Sequence, residues 1–183
     1  VSRGLGDVYK RQAKYRKMSD EDGYRAVAFA LLMNTYMKYL SKEYVYMPPT
    51  CSCATTSAPA AAAGVAFLHG LTPQQINDML CTSQVQMCGV VCDGAKPSCA
   101  FRMFVALFGA LEAMMMAEKG IRATNVEGFV HDDLKVTLEN IYRLQHDVLH
   151  NKVDAILWDI VKEQKTIPVS YTHLRAHETL ANL

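Results

Sequence analysis

Apolar positions along the chain recur every three or four residues, the period of helices packed on one face. In "SDEDGYRAVAFALLMNTYMKYLSKEY" the apolar stripe runs from Tyr24 through Leu40. Ser19 stands as candidate N-cap, with Asp22 three positions on. Pro48 and Pro49 in "YMPPT" then end any helical run. "CSCATTSAPAAAAGVAFLHG" is Ala-rich up to Gly70, which predicts a helix that neighbouring backbones approach closely. "LTPQQINDMLCTSQVQM" opens with Thr72, Pro73 and Gln75, the pattern of a capping box with proline at the first helical position. "CAFRMFVALFGALEAMMMAEKG" predicts a further apolar helix stopped by Gly120, its three methionines filling core. "HDDLKVTLENIYRLQHDVLH" and "NKVDAILWDIVKEQ" predict amphipathic helices. Nowhere does strict alternation point to a strand. The expected fold is all-α, a single helix bundle around a buried Ala-rich helix.

The two ends stand apart from this pattern. "GDVYKRQ" and "PVSYTHLRAHETLANL" resemble translated sequencing adapters, so residues 1–12 and 168–183 are read as scars and residues 13–167 as the domain. His173 and His177 drop out of any metal reading for that reason. About 155 residues remain, enough for one domain with its own core. The whole chain carries 19 basic and 18 acidic residues. Without Arg3, Lys10, Arg11, Arg175, Asp7 and Glu178 the balance is close to neutral, and no basic patch invites nucleic acid. Runs such as "AVAFALLM" and "AAAAGVAFL" are too short to cross a bilayer, so no membrane partner is expected.

Six cysteines, at 51, 53, 81, 88, 92 and 99, carry the candidate chemistry. Without a visible signal peptide, a disulfide framework is not expected, and a reducing cytoplasm is. Cys88, Cys92 and Cys99 form a C-x3-C-x6-C run ahead of one helix, and Cys51 and Cys53 precede another. Helix starts present free N–H groups and partial positive charge, which favour thiolates. The spacing matches neither paired zinc C-x2-C motifs nor the C-x2-C-x2-C run of ferredoxins. Zinc, an iron–sulfur cluster and buried free thiols all stay open on spacing alone.

"CSCATTSAPAAAAGVAFLHG", "GVVCDGAKPSCAFRM" and "NVEGFVHDD", in that order, resemble the C-terminal part of the L-cysteine desulfidases, which group with the α-chain domain of iron–sulfur L-serine dehydratases. The resemblance covers about residues 25–165. It implies a [4Fe–4S] cluster on three cysteines with one iron open to substrate. Cys92 and Cys99 match two ligands, with a longer gap between them than in the family pattern. The third is Cys51 or Cys53, with Cys51 favoured. Asp93 and Gly94 would form the turn that aims Cys92, while Gly64 and Gly94 would allow close backbone approach. Cys81 and Cys88 match no ligand and are read as packing residues. Arg102 replaces the usual lysine. His131 and Asp132 resemble a family His–Asp pair, although capping by Asp132 or Asp133 is the plainer reading. Catalytic and substrate-binding residues are left unassigned.

The implied reaction is a lyase step without pyridoxal phosphate on a small amino acid, L-cysteine or, alternatively, L-serine. The family's N-terminal half does not appear in the chain, so it would be a missing partner and the fragment alone inactive. A homo-oligomer is left open. The cluster pocket is expected to open toward the surface that half would cover, leaving apolar exposure there. Rival readings are a zinc-stabilised binding module on Cys88, Cys92, Cys99 and one of Cys51 or Cys53, and a metal-free helical subunit.

Overall fold

The structure is a computed structural model that describes residues 18–41, 50–92, 99–126 and 128–149, with residues 156 and 160. Five α-helices make up most of it: α1 (Asp20–Ser41), α2 (Ala58–Leu68), α3 (Pro73–Met87), α4 (Cys99–Glu118) and α5 (Leu134–Leu144). Among the described residues there is no β-strand, only an isolated antiparallel bridge between Thr50 and Val91. The all-α expectation holds. Both adapter-like ends, the Pro48–Pro49 break and most of the last expected helix lie outside the described residues.

Local signals set the helix ends. Ser19 and Asp22 cap α1 reciprocally: Asp22 N–H donates to Ser19 Oγ at 3.2 Å, and Ser19 N–H to Asp22 Oδ2 at 3.3 Å. Thr72 and Gln75 do the same for α3, behind Pro73. Gly70 (φ 73°) and Gly120 (φ 76°) take the left-handed conformation that ends α2 and α4. Each closes the same way. Leu71 N–H reaches Ala66 O and Ile121 N–H reaches Met116 O, satisfying carbonyls the helix leaves open.

α2 is the centre of the bundle. Ala58 to Ala66 are buried on every side, so their small side chains let α1, α3 and α4 approach closely. Phe29 of α1 stacks on Phe67 at 5.2 Å between ring centroids. Tyr142 of α5 crosses the core and donates its hydroxyl to Met37 O at 2.9 Å. At Gly109 side chains of α3 come close to α4: an added Cβ would meet Met87 Cε at 2.9 Å. Of the three consecutive methionines Met114 fills core, but Met115 is 56% exposed, which corrects the uniform core reading.

α4 departs furthest from expectation. It is long and apolar enough to cross a membrane by length and composition, which the shorter runs considered in the sequence were not. Its buried side is a row of small residues, Ala106, Ala110, Ala113 and Ala117, set against α2 and α3. Its outer side carries Phe101, Phe104, Val105 and Phe108, all more than half exposed.

Candidate metal centre

Pro59 explains the local geometry of the "CSC" segment. A proline inside a helix has no N–H to give to the carbonyl four residues back. The turn Cys53–Ser57 accordingly widens to π-helical, with Ala58 N–H donating to Cys53 O. The carbonyl of Thr55, deprived of Pro59, instead accepts from Gln84 Nε2 of α3 at 2.8 Å. Thr55 and Thr56 hydroxyls turn back onto Cys51 O and Ser52 O at 3.2 and 2.6 Å. Just upstream, Thr50 Oγ1 accepts from Gln145 Nε2 at 2.7 Å. Gln84 and Gln145 are each 1% exposed, so two buried amides brace the segment on both sides of Cys51.

The chain leaving α3 meets this segment directly. Cys88 caps α3, the chain turns at Gly89, and Cys51 N–H donates to Val90 O at 2.7 Å beside the Thr50–Val91 bridge. In such a pairing Cys51 faces Val90, two residues before Cys92 in the chain. α4 begins at Cys99 and packs against the π-helical turn, bringing Arg102 into the electrostatic reach of Cys51. Beneath these residues lies a small apolar floor of Ala54, Ala58, Met87 and Ala106.

The thiols act on one another. Cys53 donates a hydrogen bond to Cys51, which draws Cys51 down to about 6; burial opposes this, while the N–H groups of Ala54 and Cys53 and the Arg102 charge add to it. The same bond holds Cys53 far above the ordinary thiol range, helped by burial and by the charges of Cys51 and Cys99. Cys88 faces elsewhere: its Sγ lies 3.7 Å from Val85 O of its own helix, and burial raises its pKa. Cys81 is a core residue, contacted by the Thr137 hydroxyl at 3.6 Å and pushed up to about 11 by burial. All six cysteines are free thiols.

Cys51, Cys53 and Cys99 thus share one electrostatic neighbourhood, with Cys92 joined to it through the backbone pairing. Among the described residues, however, no three His, Cys, Asp or Glu side chains form a group ready to hold a metal ion. The expected tight convergence of three sulfurs is not met there. The thiol interaction found there is between Cys51 and Cys53. Asp93 and Gly94, expected to aim Cys92, lie outside the described residues. The donor chemistry fits a thiophilic centre: soft sulfurs, helix starts and a nearby guanidinium.

His131 and Asp132 are found at the other end of α3. Asp133, not Asp132, caps α5, accepting from Lys135 N–H at 2.7 Å. Asp132 pairs with Arg122 at 2.6 Å. Asn77 and Asp78, which hold this loop, precede Cys88 by about ten residues, so roughly 15 Å of helix separates the two ends. The His–Asp pair is therefore not placed beside the cysteines.

Sequence reasoning missed Gln84, Gln145 and Thr50. The signal for Gln84 was present: it continues the buried stripe Ile76, Leu80, Ser83 and Met87, where a long polar side chain must have a partner.

The serine dehydratase alpha chain family matches residues 7–157, a span that reaches into the segment 1–12. A UPF0597 protein of Shewanella pealeana is 31% identical over 137 residues, covering 75% of this chain and 31% of its own. One from Oleidesulfovibrio alaskensis is 30% identical over 153 residues, covering 84% of this chain and 35% of its own. The chain thus spans about a third of the length of the curated relatives it matches. No solved structure matches it. With the family match covering most of the sequence, the chain belongs to the serine dehydratase alpha chain family.

Proposed function

We propose that this chain is the cluster-carrying part of a [4Fe–4S] lyase that works without pyridoxal phosphate and cleaves L-cysteine to pyruvate, ammonia and sulfide. The observation that supports the reading is the hydrogen bond from Cys51 N–H to Val90 O, two residues from Cys92, with the charge of Cys99 acting on Cys53. Cys92, Cys99 and Cys51 would hold the cluster, with Cys53 as the alternative third ligand. Cys51 is preferred because its N–H, not that of Cys53, pairs with the strand-like segment that leads to Cys92. When bound, the cluster would supply an open iron as Lewis acid for the substrate's leaving group.

The chain's own residues supply the surroundings. Gln84 and Gln145 fix the backbone on either side of Cys51, above an apolar floor of Ala54, Ala58, Met87 and Ala106. The Arg102 guanidinium, whose charge is felt at Cys51, offers an anchor for a substrate carboxylate. The overall change balances as L-cysteine plus water giving pyruvate, ammonia and hydrogen sulfide, with no external oxidant or reductant. A cytoplasmic setting suits oxidant-sensitive thiols.

L-serine is the second reading, favoured by the description of the matching family. The Cys88 orientation speaks against a closed four-cysteine zinc module. The test is anaerobic reconstitution of the full-length Shewanella pealeana relative with iron and sulfide, followed by turnover of each amino acid. Sulfide release from L-cysteine exceeding pyruvate formation from L-serine supports the first reading. The reverse order supports the second, and a colourless zinc protein inactive on both overturns the lyase.

A further inference from the structure

The outer face of α4 is the largest unexplained feature of the surface. Phe101, Phe104, Val105, Phe108 and Met115 are 56–77% exposed and follow one another at helical spacing. Phe104 and Phe108 meet in a tilted pair, 4.7 Å between centroids. Beside them runs a groove of about 900 Å³, walled across from α4 by Val65, His69, Gln86 and Met87. Large apolar patches of this kind mark binding surfaces.

We infer that this face is the docking surface for the polypeptide that the longer relatives carry beyond the matched segment. Two observations favour that occupant. The chain accounts for only 31–35% of the relatives' length, so most of their polypeptide must be placed somewhere against it. The exposed residues also lie on the side of α4 opposite the buried row Ala106, Ala110, Ala113 and Ala117, so the described bundle leaves them uncovered.

A membrane is the poorer fit. Interfacial helices pair an apolar face with Lys and Arg, whereas α4 has no basic residue in its last turn and carries Glu112 and Glu118 at the groove. The inference rests on family membership and on the exposed face, not on the cluster or its substrate.

The experiment co-expresses this chain with the remaining polypeptide of the Shewanella pealeana relative and measures co-purification and quenching of a hydrophobic dye bound to the chain. Co-purification with loss of dye signal is expected, and the variant Phe101→Ser/Phe104→Ser/Phe108→Ser, of unchanged helical content, should weaken association by about thirtyfold or more. A photo-crosslinker at the position aligned with Phe104 in the full-length relative guards against a complement that does not fold alone. Crosslinks to the same chain outside the matched segment support the inference. Crosslinks between two chains, with concentration-dependent dimers that the triple variant abolishes, would assign the face to a second copy instead. Crosslinks to lipid, with binding to phosphatidylserine vesicles, would assign it to a membrane, and crosslinks confined to the matched segment would also overturn the inference. None of these readouts uses turnover, so their failure is separate from failure of the proposed reaction.

Discussion

The two ends of α3 hold loops in opposite ways. At its N-terminal end, polar groups close on one another. Arg122 reaches Asp132, Asn77 donates to Asp132 O and accepts from Leu134 N–H, and Ala123 N–H finds Thr82 Oγ1. Thr137 accepts from His131 N–H, and its hydroxyl lies 3.0 Å from the carbonyls of His131 and Asp133. At the C-terminal end the backbone is just as well braced, by Gln84 and Gln145, but the side chains it presents are thiols whose main partners are other thiols. A polar cluster that satisfies itself has a structural purpose. A braced backbone that presents neighbouring thiols is where the proposed cluster would sit.

This contrast can be broken by substitution. Gln84→Ala should have the largest effect, destabilising by about 3 kcal/mol, because it opens a buried cavity and strands the Thr55 carbonyl. Chemical denaturation would show the loss, and iron uptake should fall with it since the brace behind Cys51 is gone. Thr137→Val should cost about 2 kcal/mol through the stranded His131 N–H and leave iron uptake per folded chain unchanged. If Thr137→Val lowered uptake as much as Gln84→Ala, the division between the two ends would be wrong. Asp133→Ala removes the N-cap of α5 and should cost about 1 kcal/mol, again without effect on metal.

The smallest effect concerns pH. Burial raises Cys81 from 9.0 to about 11 in the folded chain. Above pH 9 the unfolded chain loses this proton while the folded one keeps it, so stability falls as pH rises toward 11. Cys81→Ala should flatten the denaturation midpoint over that window, and an unchanged slope would show the thiol is not shielded.

Much of this was legible in the sequence, for definite reasons. Caps are local, so Ser19–Asp22, Thr72–Gln75, Gly70 and Gly120 announced their helix ends without help from the rest of the chain. The Ala-rich run could be recognised as central because only small side chains tolerate neighbours on every side. The π-helical turn could not be read, since it needs both Pro59 and a distant Gln84 to receive the freed carbonyl. Nor could the exposed side of α4, because an apolar helix looks the same in sequence whether one face or two are covered. Cys51 and Cys53 were equivalent by spacing. Only the Val90 pairing separates them, and that contact joins residues far apart in the chain.

The most direct test of the central claim is iron per chain after anaerobic reconstitution, measured with the electron paramagnetic resonance of the reduced cluster. Variants Cys51→Ser, Cys53→Ser, Cys88→Ser, Cys92→Ser and Cys99→Ser would be compared with the parent. The account predicts loss of iron and signal for Cys51→Ser, Cys92→Ser and Cys99→Ser, with both retained by Cys88→Ser and Cys53→Ser. A Cys88→Ser chain that loses its metal as completely as Cys92→Ser, or a parent that holds zinc and no iron, would contradict it.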